Sequence, residues 1–284
     1  MHTDVIADCR CEIAEVPMWH PAERRLYWTD IPAGELYRYD PATDAYERCF
    51  DGGVVGGYTI QADGTFLLFM TAGAVRLWDG ESLETVVDGI PGEEESRFND
   101  VIADPEGRVF AGTMPTDDGP GSLYRIDTDG SVTELLDDVD LPNGMGFDPA
   151  RETLYLTESN ANRIHAFDYD AADGSIDDRR TFTTVPDGEG MPDGLTVDAD
   201  GDVWSARFGG GCVVRYDDAG SVVERHDVPT ENVTSLLFAG EEFADLYVTT
   251  ATFEAPDDDE HAGNVFRLRP GVRGVAEFPS RVSI

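Results

Sequence analysis

The chain has 284 residues, of which 58 are acidic and 20 basic, and its formal net charge is −38 at pH 7. With 40% hydrophobic and 10% aromatic residues it can bury a large core, which excludes a wholly disordered acidic chain. A pI near 4.1 also argues against nucleic acid and anionic membranes as partners, because their phosphates would be repelled.

All basic residues are arginine, since the sequence contains no lysine. At molar salt the Debye length falls to about 3 Å, so repulsion between surface carboxylates becomes small while they stay hydrated. We therefore predict a halophilic, salt-adapted protein. No apolar run approaches the roughly 18 residues of a membrane span, and the first residues lack the pattern of a signal peptide. These features predict a cytoplasmic location.

Three kinds of strand recur in a fixed order along the chain. The first begins with a polar residue and runs towards a turn residue, and the second is strongly apolar. The third alternates apolar and polar residues, which is typical of a half-buried antiparallel strand. The first kind covers residues 15–20, 58–63, 99–104, 143–148, 193–198 and 234–239, the second 26–29, 66–69, 109–112, 154–157, 203–206 and 246–249, and the third 36–40, 75–79, 123–127, 164–168, 213–217 and 265–268.

A fourth, outer strand is predicted near residues 85–87, 133–136, 181–183, 222–225 and 275–278. Six copies of about four strands each are the signature of β-propeller blades. We predict an all-β chain, with residues 1–284 forming a single six-bladed β-propeller domain around a central metal site. A closed ring leaves no unpaired sheet edges, and we expect residues 3–7 to complete the last blade.

Polar residues at the start of each inner strand should face the central channel. At this shared position the blades carry Glu15, Tyr58, Asn99, Asn143, Asp193 and Thr234. Carboxylate and amide oxygens are the ligands of hard cations such as Ca²⁺ or Mg²⁺. Zn²⁺ and Mn²⁺ remain alternatives, although the ring contains no His or Cys that would favour a softer ion.

Each of these residues also has a structural interpretation. Asn143 and Asp193 precede glycine, a common turn pattern, but recurrence at one position in several blades favours a site. Glu15 lies outside such a pattern and just before Pro17, which favours a ligand role. Arg97 lies two residues before Asn99, on the same strand face, where a guanidinium can hold a substrate oxygen or form an ordinary ion pair.

Asp117 lies in the loop after the second strand of the third blade, at the expected mouth of the channel. Its alternative interpretation is a solvated acidic loop. Other chemistry finds little support, because the sequence contains no GxSxG, HExxH or CxxC motif. The four cysteines are interpreted as structural thiols.

Several ordered motifs resemble the senescence marker protein/gluconolactonase/luciferin-regenerating enzyme family, of which regucalcin is a member. They are Ala14-Glu15-Val16-Pro17 with the following strand, Arg97-Phe98-Asn99-Asp100, Leu141-Pro142-Asn143-Gly144, Met191-Pro192-Asp193-Gly194 and Ala262-Gly263-Asn264. The resemblance covers nearly the whole chain. Two departures stand out: the family usually has Gly-Glu-Gly-Pro or Gly-Glu-Ser-Pro around Glu15, and the second blade lacks its typical sequence before Tyr58.

The resemblance implies one divalent cation in the channel, with Ca²⁺ as the first choice and Glu15, Asn143 and Asp193 as its ligands. It implies that Arg97 and Asn99 contact the substrate, and Asp117 matches an acidic substrate-contacting position. The chain is thus expected to be a metal-dependent sugar lactonase that hydrolyses a glucono-, arabinono- or xylonolactone to the aldonic acid. Asp193 is expected to act also as the base that takes a proton from water.

Two alternatives stay open at this point. One is another ester or phosphotriester hydrolase on the same scaffold, and the other is a non-enzymatic metal-binding propeller, which the fold alone does not exclude. The expected partner is a small-molecule sugar lactone, and the expected assembly is a monomer or a small homo-oligomer.

Overall fold

The computed structural model describes residues 3–283, which fold into six four-stranded antiparallel sheets. The strands are β1 (Thr3–Ala7); β2 (Ala14–His20), β3 (Arg25–Asp30), β4 (Glu35–Asp40) and β5 (Ala45–Asp51) in blade one; β6 (Gly57–Ile60), β7 (Phe66–Phe69), β8 (Val75–Trp78) and β9 (Leu83–Val87) in blade two; β10 (Phe98–Ala103), β11 (Val109–Thr113), β12 (Gly121–Ile126) and β13 (Val132–Val139) in blade three; β14 (Pro142–Phe147), β15 (Thr153–Glu158), β16 (Arg163–Asp170) and β17 (Ser175–Thr184) in blade four; β18 (Met191–Val197), β19 (Val203–Phe208), β20 (Cys212–Tyr216) and β21 (Val222–Asp227) in blade five; and β22 (Val233–Ala239), β23 (Asp245–Thr250) and β24 (Val265–Leu268) in blade six.

The inner strands of the six blades form a closed ring around a central channel. Each contacts the inner strands on either side, in the order β2, β6, β10, β14, β18, β22 and back to β2. Within blades one to five the strands pair in chain order from the channel outwards. The all-β six-bladed propeller predicted from the repeats is therefore confirmed. Among residues 3–283 the only helix is a 3₁₀ turn at Glu241–Phe243, and no helix is long and apolar enough to cross a bilayer.

A recurring aspartate ends several inner strands and shapes the turn to the next strand. The Asp104 carboxylate accepts hydrogen bonds from the backbone N–H groups of Glu106 and Arg108, both at 2.9 Å. Asp198 repeats this with two backbone N–H groups of its own turn, at 2.9 and 3.0 Å. A carboxylate that satisfies free backbone donors favours a tight turn, so the repeated Asp of the sequence is structural.

The ring closes as expected at blade six, where β1 pairs with β24 in the outermost position. The prediction of a strand at residues 275–278 is wrong, because β1 already fills that place. Instead, the C-terminal segment 269–283 crosses the face opposite the starts of the inner strands. Gly274 bridges to Asp198 of blade five and Ser280 to Gln61 of blade two, and the segment brings Glu277 and Phe278 to the channel.

The core lies between neighbouring blades rather than within one sheet. One apolar cluster joins Phe69 of blade two to Phe98 and Val109 of blade three, and others repeat this around the ring. Interlocked blades hold the starts of the inner strands in fixed relative positions. The boundary of one domain at 1–284 stays a prediction, and residues 1, 2 and 284 lie outside the described residues.

Candidate functional site at the channel mouth

Irregular strand pairing marks the start of five of the six inner strands. The register shifts at Glu15/Met18 in β2, Phe98/Val101 in β10, Pro142/Met145 in β14, Pro192/Leu195 in β18 and Val233/Ser235 in β22. In β6 the pairing is regular. A β-bulge redirects the side chains beside it, so the bulged strands can turn polar groups into the channel.

A shared local hydrogen bond orients the polar side chains at these bulges. The Val16 N–H donates to the Glu15 carboxylate at 2.9 Å, and the Gly144 N–H donates to Asn143 Oδ1 at 3.0 Å. The Val101 N–H donates in the same way to Asp100 Oδ1 at 2.7 Å. In each case one side-chain oxygen accepts the N–H of the next residue, which fixes the side chain beside the bulge.

Val16 adopts a left-handed backbone conformation with a φ of 48°. This region disfavours a β-branched residue, and related strained positions cost of order 1–3 kcal/mol. It is also the position at which the resembling family usually has glycine or serine. The substitution thus leaves the turn next to Glu15 in place at a conformational cost.

The structure brings together Glu15, Asn143 and Asp193, which come from blades one, four and five. Each is about 95% buried. Asn143 and the Gly194 backbone interact with the Asp193 carboxylate, and Glu15 and Asp193 repel each other electrostatically. We call these three residues the upper channel site, because they lie at the starts of the inner strands.

Burial and mutual repulsion disfavour the charged forms of both carboxyls. Burial is the largest cause that raises the pKa of Glu15 well above its usual range, followed by repulsion from Asp193 and Asp100. Burial and then Asp100 raise the pKa of Asp193 in the same way. Attraction to Arg97 opposes both shifts only in part, so the upper channel site has a deficit of positive charge.

Arg97 links the upper channel site to the neighbouring strands. Its Nη1 donates to the Phe98 carbonyl oxygen at 2.8 Å and to Asn99 Oδ1 at 3.0 Å, which fits the prediction that Arg97 and Asn99 lie on the same side of the strand. Asn99 Nδ2 in turn donates to the Pro142 carbonyl oxygen, next to Asn143, at 3.0 Å. Burial lowers the pKa of Arg97, and Glu15 and Asp193 oppose this shift, consistent with a guanidinium enclosed beside two carboxylates.

A cleft of about 490 Å³ opens beside Arg97. Its walls come from loops of blades one to three and include Ile31, Val54, Thr71, Glu95 and Met114. None of these five wall residues was predicted from the sequence, because they lie in connections outside the repeated strands. One sequence feature could have indicated them: they lie in connections that emerge on the same side of the propeller as the upper channel site.

Asp117 lies in the exposed turn between Thr116 and Gly119, which follows the cleft residues Met114 and Pro115. Within residues 3–283 its carboxylate forms no hydrogen bond or ion pair. Asp117 is therefore near the rim of the cleft by chain position, and a contact with substrate stays a prediction.

Two of the six predicted ring residues point elsewhere. Tyr58 packs among aromatic and aliphatic side chains shared by blades one and two, because regular pairing in β6 keeps it in the sheet interior. Thr234 donates to the Ala14 carbonyl oxygen at 2.6 Å and contacts the Thr249 hydroxyl at 2.9 Å, so its hydroxyl joins neighbouring strands. Placing these two in the oxygen-donor ring was wrong.

The donor set of the upper channel site fits a hard divalent cation. The buried carboxylates of Glu15 and Asp193 lie with the Asn143 amide in one site. Attraction to Arg97 offsets only part of the repulsion between the carboxylates. Among residues 3–283 no group of three or more His, Cys, Asp or Glu side chains forms a metal cluster. A cation held here would therefore take the Asn143 amide oxygen as its third protein ligand, a donor that suits Ca²⁺ or Mg²⁺ better than a soft metal.

Six blades around a channel, with a charged polar site at one mouth, define this protein first as a β-propeller with an axial site. Residues 13–252 match the family model described as SMP-30/Gluconolactonase/LRE-like region. The chain belongs to this family, as its motifs indicated.

Relatives match over nearly the full length. The chain is 47% identical to pentonolactonase XacC from Haloferax volcanii, with 98% of each chain covered, and 32% identical to regucalcin from Xenopus laevis, with 93% of each covered. The solved structure of a calcium-binding protein, regucalcin from Agrobacterium tumefaciens, superimposes with a TM-score of 0.91 at 27% identity, covering 98% of this chain and 97% of that one.

Proposed function

We propose that this protein is a metal-dependent lactonase that hydrolyses a sugar lactone, specifically a five-carbon aldonolactone, to the open-chain acid. The observation that carries the proposal is the buried group of Glu15, Asn143 and Asp193 beside Arg97 at the edge of an open cleft. The 47% identity to a pentonolactonase over 98% of both chains supports the reaction and the size of the substrate.

Glu15, Asn143 and Asp193 would hold one divalent cation, for which we propose Ca²⁺. The similarity to regucalcin and to a calcium-binding protein supports this choice. When bound, such a cation supplies Lewis-acid polarisation of a carbonyl oxygen. A cation would also offset the repulsion that raises the pKa values of Glu15 and Asp193.

The residues around the ligands suit the remaining tasks. The Arg97 guanidinium, held by the Phe98 carbonyl and Asn99, would donate to the substrate carbonyl oxygen and to the oxyanion that forms there. Asn99 is anchored on the Pro142 carbonyl and orients the arginine. We propose that Asp117, at the rim, contacts the hydroxyl groups of the sugar.

Asp193 is the proposed base. Water oxygen forms a bond to the lactone carbonyl carbon while one water proton moves to an Asp193 carboxylate oxygen. The bond between that carbon and the ring oxygen then breaks, and the ring oxygen takes the proton and becomes a hydroxyl group. The products are a carboxylic acid and a free hydroxyl on one open chain, so atoms and charge balance.

We also propose the salt conditions, location and assembly in which the protein acts. The net charge of −38 with no lysine supports activity at high salt and disfavours nucleic-acid partners. We propose a cytoplasmic enzyme that acts as a monomer or a small homo-oligomer, in which the open cleft admits a small polar substrate.

The test is an acid-release assay at molar salt with xylono-, arabinono- and gluconolactone, run with chelator and with re-added Ca²⁺, Mg²⁺, Mn²⁺ or Zn²⁺. We expect hydrolysis of the two pentonolactones above the uncatalysed rate, loss of activity on chelation and recovery with a divalent metal. Phosphotriesters and aryl esters serve as comparison substrates. Hydrolysis of these esters without lactone turnover, or no turnover of any substrate, would overturn the proposal.

A further inference from the structure

A second group of polar side chains lies inside the channel, further along the inner strands than the upper channel site. It surrounds a small cavity of about 40 Å³. A space of about 10–15 Å³ already holds one water molecule, so this cavity has room for an ion with ordered water. We call Asp100, Ser235 and Glu277, which line it together with apolar residues, the lower channel group.

Asp100 enters the cavity from blade three. Its side chain is 9% exposed, and Oδ1 accepts the Val101 N–H. Within residues 3–283 the other oxygen, Oδ2, accepts no hydrogen bond and forms no ion pair. Burial raises the pKa of Asp100 to about 7. A buried carboxylate with an unused oxygen is costly unless something positive or protonated faces it.

Ser235 provides independent evidence from blade six. It is 5% exposed, and its backbone N–H is satisfied by the Thr249 hydroxyl at 3.1 Å. Its own hydroxyl, in contrast, has no hydrogen-bond partner anywhere in residues 3–283, although it lines the cavity. Buried hydroxyls normally find a partner, so this one points to a group that occupies the cavity.

Glu277 comes from the C-terminal segment that crosses the propeller. It remains partly exposed towards a neighbouring groove, yet burial on its channel side, followed by repulsion from Asp100, raises its pKa to about 7. No side chain that lines the cavity is cationic. Two carboxylates thus share one small space without any counter-charge from the protein.

We propose that the lower channel group binds one hard divalent cation of the Ca²⁺ class, separate from the cation of the upper channel site. Two carboxylates balance a charge of +2, the Ser235 hydroxyl is a neutral oxygen donor, and water completes the oxygen coordination that such ions require. The ligands come from blades three and six and from the C-terminal segment, so the ion would tie that segment to the ring.

Cation binding at the lower channel group does not require the protein to be a lactonase. Asp100 interacts electrostatically with both sites, because it repels Glu15 and Asp193 on one side and Glu277 on the other. A cation beside Asp100 would reduce this repulsion. The lower site would therefore support the upper one electrostatically without touching a substrate.

The test measures bound Ca²⁺ per chain by equilibrium dialysis at pH 7.5 for the wild-type protein and for Glu277→Gln, Ser235→Ala and Glu15→Gln. We expect two ions for the wild type and a loss of one in Glu277→Gln. We expect at least a tenfold weaker second site in Ser235→Ala. Asp257→Asn, which removes an exposed carboxylate from a distant acidic loop, is the matched control and should keep both ions.

The lower site is overturned if Glu277→Gln binds as many ions as the wild type. Glu15→Gln separates the two proposals, because it should remove the upper ion and lactonase activity while the ion sensitive to Glu277→Gln remains. A second readout is proton release on adding Ca²⁺ at pH 6.5, which Glu277→Gln should reduce. Unchanged release in a variant with a native circular dichroism spectrum would contradict the site even where ion counting is ambiguous.

Discussion

The two ends of the channel differ in how the protein treats buried carboxylates. At the upper end Glu15 and Asp193 face Arg97 and the Asn143 amide, and the site borders a cleft of about 490 Å³. At the lower end Asp100 and Glu277 repel each other and line, with an unpartnered serine, a small cavity of about 40 Å³. Glu15 and Asp100 both sit on bulged strands and accept the next backbone N–H.

The same local feature, a β-bulge that orients a carboxylate, occurs at both ends of the channel. A bulge supplies an oriented carboxylate, but its surroundings decide what that carboxylate can do. An arginine and an opening to solvent suit the upper end to bind and polarise a substrate. A small cavity lined by carboxylates and no cationic side chain suits the lower end to hold a cation or a proton.

The largest expected effect is the loss of turnover when Asp193, at the upper end of the channel, is replaced. Asp193→Ala removes the proposed base and a cation ligand, so we expect turnover in the acid-release assay to fall by roughly 10³-fold or more. The metal-free variant should remain folded, because it loses a buried carboxyl that others repel. An Asp193→Ala protein with near wild-type turnover would remove this residue from the mechanism.

Replacing Arg97 tests whether the positive charge at the upper end contributes to turnover. Arg97→Leu should lower kcat by roughly 10²-fold, because a donor to the oxyanion is lost, and Arg97→Lys should restore part of it. Glu277→Gln is the comparison at the lower end and should change kcat less than threefold when Ca²⁺ is saturating. Equal losses in Arg97→Leu and Glu277→Gln would contradict the division of roles.

The carboxyls of the lower channel group should contribute to the pH dependence of metal-free stability near neutrality. Asp100 and Glu277 have folded pKa values of about 7, above the ordinary values of 3.8 and 4.5, so the folded state binds more protons than the unfolded state between these limits. Their contribution to the free energy of unfolding therefore decreases as pH rises from about 4.5 through 7, by up to about 1.4 kcal/mol per pH unit for each proton.

Urea unfolding from pH 5 to 8 in chelator measures this slope. Glu15 and Asp193 contribute to it with the same sign, because burial also raises their pKa values, so the variants are compared with the wild type. Asp100→Asn should flatten the slope relative to the wild type, and so should saturating Ca²⁺. An unchanged slope in Asp100→Asn would show that the carboxyls of the lower channel group do not titrate in this range.

The smallest expected effect concerns Tyr58, which lies in the apolar cluster between blades one and two rather than at the channel. Its hydroxyl is buried without a hydrogen-bond partner in the described chain, so Tyr58→Phe should change the free energy of unfolding by less than about 1 kcal/mol, towards greater stability. Its kcat/KM should match the wild type. A tenfold loss of kcat/KM would show that Tyr58 contributes to the channel site after all.

The repeated pattern was sufficient to predict the propeller and much of the upper end. Glu15, Asn143 and Asp193 were predicted together because they start equivalent strands, and the structure places them side by side. Tyr58 and Thr234 occupy the same position in the repeat but not in space. Strand regularity and a neighbouring backbone carbonyl direct them away, and neither feature is visible in one blade's sequence.

The position of Glu277 at the channel could not be predicted from the local sequence pattern either. The segment around it has the pattern of an outer strand, but the N-terminal strand β1 takes that place, and the segment crosses to the channel instead. Only the competition between two distant segments for one sheet edge decides this outcome. Asp100 was visible as part of a motif, but its partners Ser235 and Glu277 lie more than 130 positions away in the sequence.

The sequence by itself determined the repeat, the strand alternation, the acidic surface and the polar residue that opens most inner strands, because these depend on local periodicity and composition. The tertiary structure alone decided which of those residues meet, which carboxylates receive a counter-charge and how the channel is closed. These depend on bulges, on packing between blades and on the path of the C-terminal segment, and all three are set by contacts between residues far apart in the chain.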